Sequence, residues 1–190
     1  MLNIILVTSL IVGFIACIVE IYFITAYIRS RFGKYPPFVF SFGKAKHIVI
    51  KEAENFLQKQ KSPINIFDLG CGDGCLLIPL AKKFPQHNFI GYDWDKVPYY
   101  IAKFRTKKIA NIQIRNCDFM KQDYQNAQLI LCYTGNGLSE PLGYKLNSEI
   151  PKNCLVISEA FELKHLSLMQ TISSPTLKMP IKVFLYQKKS

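Results

Sequence analysis

Acidic residues are scarce in this chain. Against 24 Lys and Arg there are only 13 Asp and Glu among 190 residues, which leaves a formal net charge of +11. Such an excess attracts polyanions, either nucleic acid or the anionic face of a membrane, and carries no information about fold. Metal-type pairs are missing as well. Cys17, Cys71, Cys75, Cys117, Cys132 and Cys154 form no CxxC pair, and their spacing to His47, His87 and His165 matches no zinc site. No metal is expected, and the three histidines read as ordinary surface or core residues. The thiols read as reduced and mostly buried, which excludes a disulfide-stapled scaffold and favours a reducing compartment. There is no internal repeat and no low-complexity tract. A composition that is 49% hydrophobic and 13% aromatic excludes a disordered chain.

Charge is absent altogether from Leu2 through Val19, and the apolar run continues past Glu20 to Ile28. About 20 mostly apolar residues cross a bilayer as a helix. Glu20, Tyr22 and Tyr27 lie toward the C-terminal end of the run, where they can approach the interface. No Lys or Arg precedes the run, whereas Arg29, Arg31 and Lys34 follow it. A secretory signal is disfavoured, because the positive n-region and the A-x-A site are lacking and the run is too long. The reading is a single-pass anchor over residues 1–28 that contacts membrane lipid, with the remainder on the cytoplasmic side. A basic, proline-containing connector follows at residues 29–42, with Tyr35-Pro36-Pro37-Phe38 stiff because paired prolines resist helix and sheet. Residues 43–190 form one soluble domain.

Within that domain the period alternates. After Gly43 a helical pattern places Ile48, Ala53, Phe56 and Leu57 on one face. Ile64 to Phe67 reads as a strand, Leu76 to Phe84 as a helix, Asn88 to Tyr92 as a strand and Val97 to Lys107 as a helix. Strands at Ile112 to Arg115 and Ala127 to Tyr133 follow in quick succession, the second uniformly apolar as if buried on both faces. Tyr133-Thr134-Gly135-Asn136-Gly137 reads as a glycine turn or an acceptor-side loop. Cys154 to Ser158 is a fifth strand, and Leu168 to Ile172 with Lys182 to Tyr186 make a closing pair. Alternation of this kind predicts an α/β fold, doubly wound, with a mostly parallel sheet and an antiparallel C-terminal strand.

The informative stretch is Phe67-Asp68-Leu69-Gly70-Cys71-Gly72-Asp73-Gly74, where the first strand turns into the first helix. Glycines there let backbone approach a ligand and take positive φ. Dinucleotide-binding turns read G-x-G-x-x-G. Here the spacing is G-x-G-x-G, and Asp68 and Asp73 would repel a pyrophosphate. A ligand carrying an ammonium group and no phosphate suits them. Asp93 ends the second strand about 20 residues on, where a carboxylate can accept from both hydroxyls of a ribose. Asp118-Phe119 follows the third strand, placed to meet an adenine edge and face.

These residues, in this order, resemble the class I S-adenosylmethionine-dependent methyltransferases, whose domain is Rossmann-like. The resemblance covers about residues 43–190. It implies S-adenosylmethionine as cofactor and transfer of its methyl group. Carried over by position, Asp68, Gly70, Cys71, Gly72, Asp73 and Gly74 lie beside the methionine part, Asp93 holds the ribose, and Asp118, Phe119 and Trp94 meet the adenine. The combination of membrane segment, Pro37-Phe38-Val39 element and D-L-G-C-G-D-G loop is similar to the small membrane-anchored protein-lysine methyltransferases and their bacterial relatives. Phe40-Ser41 and Cys75 depart from that pattern, where a second proline and an arginine are expected.

Lysine of a membrane-associated protein is accordingly the first expected acceptor, and a lipid, quinone or other small apolar molecule the second. A non-catalytic or RNA-binding domain is the third reading, which the intact acidic loop disfavours. Nucleic acid is set aside as a partner because a membrane anchor is an odd companion for it. Among polar groups near the strand ends, Tyr133 is a weak candidate for a catalytic role, with Glu140 and Glu159 as further contributors. The N-P-P-[YF] motif that accompanies amide and adenine-amino acceptors is absent after the fourth strand.

Overall fold

A computed structural model describes residues 2–32, 43–173 and 180–188. The chain divides into two compact units, Met1–Pro37 and Phe38–Ser190. In the first, α1 runs over Leu2–Phe32, longer than the apolar run alone requires. Its stretch Ile4–Thr25 has 22 residues, a mean hydropathy of 2.7 and no buried part. At about 1.5 Å per residue this reaches about 33 Å, enough for a hydrocarbon layer of about 30 Å. The hydroxyls of Thr8, Ser9 and Thr25 donate to carbonyls three or four residues back, at 2.8–2.9 Å. These three hydroxyls are thereby satisfied within the helix. The Tyr35–Phe38 connector and the Pro37-Phe38-Val39 element lie outside the described residues.

The second unit is a seven-stranded sheet. Its strands are β1 (Asn65–Leu69), β2 (Asn88–Asp93), β3 (Ile112–Asn116), β4 (Leu129–Cys132), β5 (Leu155–Glu159), β6 (Ser167–Ser173) and β7 (Lys182–Gln187), in spatial order β3-β2-β1-β4-β5-β7-β6. The first five are parallel; β7 is antiparallel to both β5 and β6. Strand order reverses between β1 and β4, the switch point at which such sheets bind ligands. The expected mostly parallel α/β sheet with an antiparallel closing strand is the fold observed. β4 is buried along its whole length, as its unbroken apolar run predicted.

Helices α2 (Gly43–Leu57), α3 (Leu77–Lys83) and α4 (Lys96–Thr106) precede or follow strands on the β1–β3 side. The buried face of α2 is Ala45, Val49, Ala53 and Leu57, every fourth residue. Ile48 and Phe56, expected on one face with Ala53 and Leu57, are only partly buried. In β2, Gly91 leaves room for α3 and its loop. A methyl group there would stand 2.7 Å from Cys71 Sγ and 2.9 Å from a Leu77 methyl.

One element has no counterpart in the expected pattern: α5 (Asn136–Glu149), between β4 and β5. Gly135, Gly137, Pro141 and Gly143 all disfavour helix, so the segment reads as a turn. Burial of Leu138, Leu142 and Leu146 overrides propensity. The β4–α5–β5 crossover runs opposite to β1–α3–β2, so right-handedness lays α5 on the other face. There Phe67, Tyr92 and Tyr124 pack together, with ring centroids 5.6–6.3 Å apart. Lys145 of α5 lies over the Tyr124 ring at 5.4 Å.

Gly143 touches the loop after β5 directly. A methyl group on it would stand 1.8 Å from the Lys164 carbonyl oxygen. Alanine improves helix propensity by about 1 kcal/mol, but a backbone clash has no rotamer escape and overpacking costs about 1–3 kcal/mol. We predict that Gly143→Ala lowers the thermal midpoint, followed by circular dichroism. An unchanged or raised midpoint would contradict this packing.

Candidate functional site

The carboxyl ends of β1 to β5 converge on one edge of the sheet, and carboxylates gather there. Asp68 and Leu69 end β1, Asp93 ends β2, Asp118 follows β3, and Glu159 ends β5. With Asp73 and Asp95 this edge holds six of the chain's 13 acids. Asp68, Asp93, Asp95 and Glu159 are all buried.

The glycine loop is shaped by its neighbour strand. Gly70 N–H and Cys71 N–H both donate to the Tyr92 carbonyl, each at 2.9 Å. Gly70, Gly72 and Gly74 have φ of 81°, 56° and 78°, a region that side chains oppose. Gly74 N–H then bonds to Cys71 O at 2.9 Å and closes the turn into α3. Asp73 accepts from the Cys75 N–H at 3.1 Å and pairs with Arg105 of α4. Cys71 points inward and is buried, while Cys75 is half-buried. Burial pushes both thiols up, Cys75 to about 12, so neither is a ready nucleophile.

Asp93 is the central acceptor. One carboxylate oxygen takes Gly72 N–H and the other Asp95 N–H, both at 2.9 Å. Each oxygen keeps a free acceptor direction. Its backbone carbonyl takes Cys117 N–H at 3.0 Å and the Asn116 amide at 2.8 Å. Burial pushes the Asp93 carboxyl up to about 6, against the opposing effect of its two N–H donors. Trp94 is half-buried beside it, and its carbonyl takes the second Asn116 amide bond at 3.1 Å. Asp118 caps the short turn Phe119–Lys121 by accepting from Met120 N–H at 2.8 Å. Phe119 is buried and its carbonyl accepts the Tyr124 hydroxyl at 2.7 Å.

Asp68 is different. It is 2% exposed, and its Oδ2 has no hydrogen-bond partner among the described residues. Burial first, then the charges of Asp93, Glu159 and Asp73, push it up to about 8. A buried acceptor beside three other carboxylates is poised for a cation.

Across the switch point lie Tyr133 and Thr134 after β4, and Glu159 at the end of β5. Tyr133 stacks on Phe161 with centroids 5.8 Å apart and planes 27° apart. Burial, then the Glu159 charge, raises the Tyr133 phenol, so it stays protonated as a donor. Thr134 is 2% exposed and its hydroxyl has no partner among the described residues. Ala160 follows with φ 67°, a conformation strained for alanine. Glu140, by contrast, is exposed and pairs with Lys164 at 2.8 Å. Thr134, Asn116 and Phe161 belong to this edge without a motif to mark them. Only their position identifies them: Asn116 ends β3, and Thr134 and Phe161 lie two residues past the ends of β4 and β5. Among the described residues no group of His, Cys, Asp and Glu is arranged to hold a metal.

Strand order and glycine loop together define a class: a Rossmann-like methyltransferase domain. The model of a family described as the ANTKMT methyltransferase domain matches residues 68–170, just over half of the chain. The chain belongs to that family and is a class I S-adenosylmethionine-dependent methyltransferase. It is 25% identical over 124 residues to a protein-lysine N-methyltransferase of Saccharolobus islandicus, covering 64% of this chain and 77% of that one. It is 39% identical over 71 residues to a tRNA (guanine-N(7)-)-methyltransferase of Chloroherpeton thalassium, covering 37% of this chain and 29% of that one. In fold it is similar to the RNA methyltransferase from Salinibacter ruber solved with S-adenosyl-L-homocysteine. That match has a TM-score of 0.66 at 17% identity and covers 80% of this chain and 95% of the other. Setting nucleic acid aside as a partner therefore finds no support, since RNA-modifying enzymes are among the relatives.

The Asp68 proton has a measurable consequence. Its carboxyl is raised in the folded chain, so between about pH 4 and about pH 8 the folded state holds a proton that the unfolded state has released. Stability without ligand should fall as pH rises through that window. Asp68→Asn should flatten the fall and leave the protein more stable than the parent near pH 8. Chemical denaturation at several pH values checks this; a stability that rises across the window would contradict it.

Proposed function

We propose that this chain is a membrane-tethered enzyme that methylates lysine of a membrane-associated protein. In this reading residues 1–28 anchor the chain, 29–42 connect, and 43–190 carry out the reaction on the cytoplasmic side. The observation that carries its methyl-transfer core is the buried Oδ2 of Asp68, without a hydrogen-bond partner among the described residues, beside a loop of positive-φ glycines. That arrangement fits the cationic methionine part of S-adenosylmethionine and would reject a phosphate. Around it, Gly70, Cys71, Gly72, Asp73 and Gly74 would cradle the same part. Asp93 would hold the ribose through its remaining lone pairs. Asp118, Phe119 and Trp94 would bound the adenine. When bound, the cofactor supplies an activated sulfonium methyl group.

The chain's own residues then have two tasks. The first is to draw in an ammonium group, which the acidic character of this edge favours, with Glu159 at the end of β5 nearest the Tyr133 side of it. The second is to present it as a neutral amine in line with the methyl group, with water excluded. Desolvation lowers an ammonium pKa, and the stacked Tyr133–Phe161 pair offers an apolar wall where that can happen. The proton leaves to solvent. The lysine assignment draws on the protein-lysine relative and on this acidic, aromatic lip; the tether draws on Ile4–Thr25. A second reading, an RNA acceptor, is favoured by the net charge of +11 and by the tRNA-modifying relative.

The test is transfer of labelled methyl groups by the full chain in mild detergent, with membrane extract as acceptor. Label recovered as methyl-lysine after protein hydrolysis is the expected result. Label in RNA or in the organic phase would overturn the lysine assignment. Asp93→Ala should weaken cofactor binding roughly tenfold to a hundredfold, the value of hydrogen bonds to a charged acceptor. Undiminished binding would remove Asp93 from the site.

A further inference from the structure

Helix α4 carries two unlike stripes. Toward the sheet it buries Pro98, Ala102 and Thr106. Away from it stand Val97, Tyr100, Ile101 and Phe104, exposed by 47%, 63%, 41% and 68%. Their spacing of i, i+3, i+4, i+7 puts them on one helical face. Four large apolar side chains in solvent on one face mark a contact surface rather than scattered exposure.

The surroundings say what it contacts. From Lys96 to Cys117 the chain has six basic residues and no acid. Arg105 is tied to Asp73. Lys96, Lys103, Lys107 and Lys108 are exposed. The Lys107 ammonium lies 4.2 Å from the Phe104 ring centroid, and the Lys103 ammonium 5.4 Å from that of Tyr99. An aliphatic and aromatic stripe with lysines along its border is the chemistry of a helix lying in a bilayer interface. There the rings and aliphatic groups enter the headgroup boundary and the ammonium groups meet lipid phosphates. A nucleic acid would use the lysines and rings but has no use for exposed Val97 and Ile101, which neither stack nor hydrogen-bond.

We infer that the outer face of α4 is a second membrane contact, docking the methyltransferase domain onto an anionic leaflet. This rests on the tethered reading above, which keeps lipid headgroups at high effective concentration around the domain. The contact also has a place in the reaction. The cap of α4 is Asp95, two residues from Asp93, and its last turn holds Asp73 of the glycine loop through Arg105. Docking α4 therefore fixes the strand-end edge at a set distance from the leaflet, where a membrane-associated acceptor presents its side chains.

Hydrogen–deuterium exchange on the full chain in lipid nanodiscs tests this. Discs of phosphatidylcholine alone are compared with discs that also contain phosphatidylserine. The expected result is exchange over residues 97–108 slower by about fivefold or more in the anionic discs, reversed by high salt. Exchange in α3 should be unchanged, and α1 protected in both discs. Tyr100→Glu with Phe104→Glu should abolish the slowing, as should Lys103→Gln with Lys107→Gln and Lys108→Gln, circular dichroism confirming that each variant folds. Equal exchange over 97–108 in the two discs, with α1 protected, would overturn the docking and leave the tether standing. Unprotected α1 would overturn the tether and the docking with it. Slowing produced by oligouridine instead of phosphatidylserine would make the face a nucleic-acid surface and overturn the inference.

Discussion

Asp93 holds three loops in place through four hydrogen bonds. Its carboxylate takes N–H groups from the glycine loop and from the start of α4, and its carbonyl takes two donors from the end of β3. One residue earlier, the Tyr92 carbonyl takes two more N–H groups of the glycine loop. The end of β2 is thus the frame on which the first loop, the second helix and the third strand are set. The positive-φ glycines make the loop possible, and these bonds select one conformation for it. Any ligand read by the loop, by Asp93 and by the residues after β3 meets a site organised before it arrives.

The same edge carries a second constraint, which is electrostatic. A chain with a net charge of +11 places six of its 13 acids at or just past the ends of four strands. Four of those acids are buried, and burial, with a smaller contribution from neighbouring carboxylates, raises Asp68 and Asp93. Stability is given up here, which a cation bound against these carboxyls would restore. The basic residues lie elsewhere, most densely from Lys103 to Lys108 at the end of α4, so the domain presents an acidic strand-end edge and an apolar helix face bordered by lysines. Arg105 and Asp73 join the two.

Much of this was legible in the amino-acid order. The β1 turn was visible because glycine and acid at that spacing have few structural explanations, and Asp93 because it ends a strand at the right distance. The parallel core followed from apolar runs too uniform for a one-sided sheet. Helix α5 was not legible: Gly137, Pro141 and Gly143 carry local preferences against it, and only the buried Leu138, Leu142 and Leu146 outweigh them. Gly143 is glycine because the Lys164 backbone lies against it, a long-range fact with no local signature. That Asp68 Oδ2 finds no partner among the described residues was equally invisible, since it depends on what the neighbouring strands do not supply. Thr134, Phe161 and the outer face of α4 needed the fold to give them neighbours or remove them.

The central claim is that this carboxylate edge is completed by the cationic end of S-adenosylmethionine. Calorimetric titration of the full chain in mild detergent tests it most directly, at about pH 6 and about pH 7.5, in buffers of different ionisation enthalpy. The account predicts binding that is several-fold tighter at the higher pH and accompanied by proton release, with the release lost in Asp68→Asn. Binding indifferent to pH, with no proton released, would contradict it.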